Sequence, residues 1–175
     1  NYGLGTANFT KYNQQGQTGN YPQGNAGWGV QIDVDVEMVS AGCPLCTIYL
    51  IEANSAEGSD LAASVREAVK LGAHIVNTSW GCAGSYTCVS KKDFGAKGVI
   101  YLAAAGSGGG LSAPSVFDTV VAVGGTMLSR NGSQYSESIW SPPGGCGQSQ
   151  QGSPVRDASA RTSVASACAW SLRRA

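Results

Sequence analysis

Four short apolar runs punctuate the middle of the chain: Thr47 to Ala53, His74 to Ser79, Val99 to Ala105 and Thr119 to Val123. Each has the length of a strand and is bounded by polar or helical stretches, the pattern of strands buried within a parallel sheet. Between the first two, Leu61, Val65, Ala68 and Val69 recur at helical spacing. Ser59 is placed to cap that helix, Lys70 falls in its last turn, and Gly72 marks its stop. From Cys46 to Gly125 the sequence therefore reads as βαβ units. Ligands of open α/β sheets collect outside the carboxyl ends of the strands, so the loops beginning near Trp80 and Gly106 are where function is expected.

Upstream, Val30-Gln31-Ile32-Asp33-Val34-Asp35-Val36-Glu37-Met38 alternates apolar and polar residues with period two. Taken locally it predicts a half-buried strand. A helix would instead put Ile32, Val36 and Val39 on one face, and Gln31 and Asp35 four residues apart on another; periodicity alone favours the strand. After Gly144 the pattern changes. Four of the six arginines lie in the last 20 residues beside a single acid, Asp157, with no apolar run like the earlier strands. The expected organisation is one α/β domain over residues 1–146, incomplete on its C-terminal side, followed by a loosely ordered or aberrant segment over 147–175.

A length of 175 residues suits one domain, and a domain of that size buries roughly 70% of the surface its unfolded chain exposes. Eleven basic side chains balance eleven acidic ones and charged residues are only 13% of the chain, which argues against nucleic acid or an anionic membrane as the partner. No apolar run is long enough to cross a bilayer. Asn1-Tyr2-Gly3-Leu4 carries no signal-peptide features, so any targeting segment is expected to have been removed. Six cysteines with low charge point to a secreted, disulfide-tolerant protein. Asn8, Asn77 and Asn131 each begin an Asn-x-Ser/Thr triplet, a pattern too frequent by chance to decide anything.

The glycine-rich run Gly106-Ser107-Gly108-Gly109-Gly110-Leu111 follows an apolar strand, but Leu111 breaks the dinucleotide fingerprint and Pro114 discourages a long helix behind it. A structural turn and a backbone-rich substrate or oxyanion loop both remain. Cys43-Pro44-Leu45-Cys46 fits a redox pair, half a zinc site or a local disulfide. A redox pair sits at a helix N-terminus, whereas this one precedes a strand, and Cys82 with Cys88 is a poor second half for zinc. A structural disulfide is expected. Cys82 and Cys88 would close a short loop and leave Cys146 and Cys168 as a third pair, one of several connectivities open to six cysteines. His74, the only histidine, stands just after the helix stop, where a structural role is expected, so a Ser-His-Asp triad has no good base. Asp33, Asp35 and Glu37 read equally as a solvated face, a cation site or part of an acid-base pair.

Four ordered stretches carry a family resemblance: Ala26-Gly27-Trp28-Gly29-Val30-Gln31-Ile32-Asp33-Val34-Asp35-Val36-Glu37-Met38-Val39-Ser40-Ala41, Cys43 to Ala53, Asn77-Thr78-Ser79-Trp80-Gly81, and Val121-Ala122-Val123-Gly124-Gly125-Thr126. Together they resemble sedolisins, the serine-carboxyl peptidases, over roughly residues 9–146. The resemblance implies a subtilisin-like parallel sheet flanked by helices, and a helix rather than a strand for the segment carrying Gln31 and Asp35. It further implies proteolysis in acid by a serine nucleophile, a glutamate base, an aspartate that orients it and a second aspartate at the oxyanion.

Carried over by residue, the orienting aspartate falls on Asp35, the glutamate on Gln31, and the oxyanion aspartate on Ser107. Glutamine cannot accept the nucleophile's proton, although a serine hydroxyl still donates a hydrogen bond at the oxyanion. The nucleophile belongs in a Gly-Thr-Ser segment, and none occurs in the chain. The expectation is an inactive peptidase homologue, with a non-catalytic peptide-binding module as the alternative. Ser79, Trp80 and Gly81 would align an extended peptide or protein weakly along a sheet edge. The family's calcium site has no counterpart, so no cofactor or metal is expected. A separate C-terminal peptidase portion is a further conceivable partner. The subtilisin alternative fails on sequence for want of a His-Gly-Thr-His-like segment.

Overall fold

A computed structural model describes residues 5–82, 87–106 and 111–140. The chain divides into two compact units, Asn1–His74 and Ile75–Ala175.

The first unit is a βαβα arrangement: β1 (Asn8–Asn13), α1 (Ala26–Gly42), β2 (Thr47–Glu52) and α2 (Gly58–Lys70). β1 pairs with β2 in parallel, in register from Asn8 opposite Thr47 to Asn13 opposite Glu52. Parallel neighbours need a long crossover, and α1 supplies it. Both helices pack on β2.

Residues 30–38 thus lie in a helix, not in the strand that their alternation suggests. The Asn25 side chain caps α1 by accepting from the Trp28 N–H at 3.1 Å. The period of two misleads because apolar residues surround the helix: Ile32 and Val36 are half-buried, while Val30, Val34 and Met38 are exposed. An alternation that does not separate two faces carries no strand information.

α2 is amphipathic, with Ala62, Val65 and Ala68 buried. Its N-cap is Glu57, not Ser59, and no side chain caps it. Ser59 already lies inside the first turn, where its hydroxyl is no longer placed at the cap. Beyond the C-cap Leu71, Gly72 adopts φ 89, its N–H donates to the Val69 carbonyl, and the Ala73 N–H reaches the Ala68 carbonyl, both at 3.0 Å. This paired closure needs a left-handed residue, which glycine provides.

In the second unit, β3 (Ile75–Thr78), β4 (Ile100–Ala104) and β5 (Val120–Val123) form a parallel sheet in that order. All four apolar runs of the sequence are therefore strands, each slightly shorter than predicted. A core gathers around Phe94 and Tyr101, with ring centroids 5.6 Å apart, and Phe117 lies 5.8 Å from Phe94. A hairpin follows, β6 (Thr126–Asn131) and β7 (Gln134–Ile139), which the sequence reading did not contain. Its two-residue turn has Gly132 at φ 61, and the Trp140 N–H closes its end onto the Gly125 carbonyl at 3.0 Å.

Candidate functional site

In the first unit, Gln31 and Asp35 project one helical turn apart from the half-buried side of α1. Gln31 Nε2 donates to Asp35 Oδ1 at 3.0 Å. Asp33 and Glu37, a turn apart from each other, are exposed, so the acidic trio is split between two environments and is not one cluster.

The carboxyl end of β1 adds a residue that the sequence reading missed. Asn13 is only 1% exposed. Its Oδ1 accepts the Gln15 and Gln17 N–H groups at 3.0 and 2.9 Å, while Nδ2 donates to Gln17 Oε1 at 3.2 Å and the Gly19 carbonyl at 3.0 Å. One carboxamide thereby moulds the whole loop behind the strand. Next to it, Gln14 joins that loop to α2: its Nε2 donates to Asp60 Oδ1 at 3.0 Å and its Oε1 accepts the Asn54 N–H at 2.8 Å. The Ser55 hydroxyl donates to the other Asp60 oxygen at 2.6 Å. Hydrogen bonds first from Ser55 and then from Gln14 hold the Asp60 carboxyl below its ordinary range, against a smaller opposing effect of burial. The only sequence signal for this loop is the Asn13-Gln14-Gln15-Gly16 run, which is polar and lacks a recognisable motif.

In the second unit, Ser79, Trp80 and Gly81 follow β3, and Ala105 and Gly106 follow its neighbour β4. The two loops therefore leave the same end of adjacent strands. Asn77 Nδ2 donates to Ser79 Oγ at 3.2 Å, and the Trp80 ring meets Phe94 edge-on at 6.3 Å. Gly81 is a point of close approach, since a Cβ there would come within 2.8 Å of Ser112 Oγ. The Cys82 N–H donates to the Ala113 carbonyl at 3.0 Å, tying this loop to the segment that precedes β5. Gly106 has φ 87, so the chain leaves β4 through a conformation that suits glycine. Ser107, Cys146 and Cys168 lie outside the described residues.

Cys43 is bonded to Cys46 and Cys82 to Cys88. Both expected disulfides are present, so the CxxC sulfurs pair with each other and not with those of Cys82 and Cys88. The pair also begins at the C-cap of α1, the end whose dipole does not favour a thiolate. His74 is exposed, just ahead of β3, and is not packed into a structural role.

Parallel strands, with α1 between β1 and β2 and α2 between β2 and β3, make a mixed α/β architecture, and the family that the sequence matches gives it the subtilisin-like fold. The sequence matches the subtilase family over residues 12–169, and the chain belongs to that family. Among solved structures it is similar to a psychrophilic protease (TM-score 0.41, 21% identity, 59% of this chain and 37% of that one). It is also similar to sphericase (TM-score 0.40, 21% identity, 53% and 35%) and to the prenylagaramide maturation protease PagA (TM-score 0.34, 27% identity, 43% and 32%). The chain thus spans between 32% and 37% of the length of these structures. No curated protein matches it. The family and the two disulfides are compatible with an extracellular location.

The family match runs past Arg161-Thr162-Ser163, which differs from the Gly-Thr-Ser of a peptidase nucleophile only in its first residue. Ser163 was not weighed in the sequence reading. It lies outside the described residues, and a search for the complete triplet passes over it.

Proposed function

We propose that this chain is a sedolisin-type member of the subtilase family, disabled at its general base, that holds extended peptides without hydrolysing them. The observation that carries the reading is the Gln31–Asp35 pair, the amide donating to the carboxylate at 3.0 Å from the half-buried side of α1. In the serine-carboxyl arrangement a glutamate at this position takes the nucleophile's proton while the aspartate orients it. A carboxamide has no basic lone pair at working pH. Its oxygen can accept a hydrogen bond from an attacking hydroxyl but cannot remove the proton, so Asp35 orients a group that does no chemistry.

The remaining parts bind rather than react. Ser79, Trp80 and Gly81 offer main chain beside a parallel strand, the geometry along which an extended peptide adds by backbone hydrogen bonds. Ser107 stands where the oxyanion aspartate would, with a hydroxyl donor in place of a carboxylic acid. Ser163 supplies the hydroxyl at the nucleophile's place in this reading, supported by the extent of the family match. The base is then the decisive loss. The reading calls for no cofactor, and its partners are peptides rather than nucleic acid or membrane. It places the protein in the secreted class, and a complementing C-terminal peptidase portion would not restore turnover while Gln31 remains.

An acidic-pH peptidase assay on the full chain tests this, with the unmodified protein, Gln31→Glu, and Gln31→Glu combined with Ser107→Asp. Saturable peptide binding without turnover is expected for the unmodified chain. Turnover is expected to appear with Gln31→Glu, rise with the second substitution and vanish on adding Ser163→Ala. Hydrolysis by the unmodified chain would refute the reading.

A further inference from the structure

The hairpin turn carries chemistry that the peptidase reading does not use. Asn131 ends β6, is exposed, and is followed by Gly132 at φ 61. Arg130 Nε donates to the Gly132 carbonyl at 2.8 Å, and the Arg130 guanidinium lies 5.6 Å from the Tyr135 ring centroid. Asn131 pairs across the ladder with Gln134, and Gly132 lies outside both strands.

We propose that Asn131 is a site of spontaneous amide-to-carboxylate conversion, with Gly132 as the internal nucleophile. The backbone nitrogen of Gly132 attacks Cγ of Asn131. A bond forms between that nitrogen and Cγ, the Cγ–Nδ2 bond breaks, and ammonia leaves with the proton that the Gly132 N–H gives up. The resulting five-membered imide is opened by water at one of its two carbonyls. Opening at Cγ returns an ordinary aspartate, whereas opening at the main-chain carbonyl routes the backbone through Cβ and Cγ as isoaspartate. There is no oxidation or reduction, and water is the only co-reactant.

Of the eight asparagines, Asn131 alone precedes glycine; the others precede Tyr2, Phe9, Gln14, Tyr21, Ala26, Ser55 and Thr78. A Cβ on the following residue crowds the attacking nitrogen, and glycine has none. Several of the others are also held by their own hydrogen bonds: Asn13 is buried and engaged at both side-chain atoms, Asn25 caps α1, and the amides of Asn8 and Asn77 donate to Thr47 and Ser79. The guanidinium of Arg130 is the adjacent charge, and it favours the deprotonated backbone amide that attacks. The product places a carboxylate beside that arginine. As isoaspartate it also inserts a methylene at the last rung of the ladder, so the hairpin records its own age as a change of charge and register.

The test is incubation of the folded full chain in mildly alkaline water enriched in oxygen-18, followed by mass spectrometry of the tryptic fragment that begins at Asn131. The heavy oxygen marks conversion that occurred before digestion, and isoaspartyl methyltransferase labelling detects the rearranged product. Asn131 is expected to convert first, well ahead of Asn54. The rate should fall about ten-fold or more in Gly132→Ala, and label should be absent from the fragment in Asn131→Gln, which keeps the amide but lengthens the ring that must close. Retention of the Asn131 amide over a period in which the urea-unfolded chain converts, or conversion of Asn54 at an equal rate, would overturn the proposal.

Discussion

A single carboxamide decides the conformation of the loop behind β1. Asn13 uses its oxygen for two backbone donors and its nitrogen for three acceptors, all within the stretch from Asn13 to Asn20. Asn13→Ala would take the partner away from those groups in a part-buried setting, at a cost of about 1–3 kcal/mol. A loss of that size is expected in the denaturation midpoint, without a change of slope; an unchanged midpoint would mean that water replaces the side chain freely. Asp60 gives a second test at the same scale. Its carboxyl is held below its ordinary range by Ser55 and Gln14, so the contribution it makes to stability is present above the unfolded value and fades as pH falls through the folded one. Acid titration followed by amide exchange at the start of α2 should show that end loosening first, and Asp60→Asn should remove the pH dependence. Gln31→Glu belongs here too. It would bring a second carboxyl to within about 3 Å of Asp35, where two charges cannot both be held cheaply, so the pair should share a proton and titrate in two steps. Carbon-13 NMR of the labelled carboxyls would show those steps, or a single ordinary one if the side chains swing apart.

Elements were legible in proportion to how well one face was separated from another. In α2 the apolar residues form a single stripe onto β2, and spacing alone located the helix, its last turn and its glycine stop. In α1 apolar residues occupy both the half-buried and the exposed sides, and the local alternation pointed to a strand until the family resemblance replaced it. β1 escaped notice because Asn-Phe-Thr-Lys-Tyr-Asn offers two aromatic residues and otherwise polar ones, and its strand identity comes from pairing with β2. The hairpin had a local signal, Asn131-Gly132, but most of its strand residues are exposed and carry no apolar run. The pair Gln31 and Asp35 was placed through the resemblance, and their spacing gained meaning only once the helix was granted. Gly72 offers the test proper to this scale. A side chain at φ 89 is strained, so Gly72→Ala should cost about 1–2 kcal/mol. Because the substitution touches no core residue, the loss should appear as fraying of the last turn of α2 in amide exchange; protection equal to that of the unmodified protein would mean that the paired closure forms without glycine.

At the scale of the whole molecule, the parallel sheet of the second unit has unequal faces. Val76, Thr78, Tyr101 and Ala103 point into the core and are at most 7% exposed. The alternate positions carry Ile75, Ile100, Val121 and Val123, exposed at 59%, 54%, 39% and 38%. The register sets Ile75 opposite Ile100 and Leu102 opposite Val121, so these side chains form one continuous surface across three strands. Parallel sheets are ordinarily covered on both faces, and a contiguous exposed apolar surface of this kind binds apolar probes in solution. The full chain is therefore expected to enhance the fluorescence of a hydrophobic dye while its near-ultraviolet circular dichroism still reports fixed packing around Phe94 and Tyr101. Replacing Ile75 and Ile100 together by threonine keeps the β-branched shape that suits a strand and removes the two most exposed members of the surface. Dye binding should fall by about half, with secondary structure unchanged. Undiminished dye binding in the double variant would place the apolar surface elsewhere in the molecule, and absence of dye binding in the unmodified chain would mean that the face is already covered in solution.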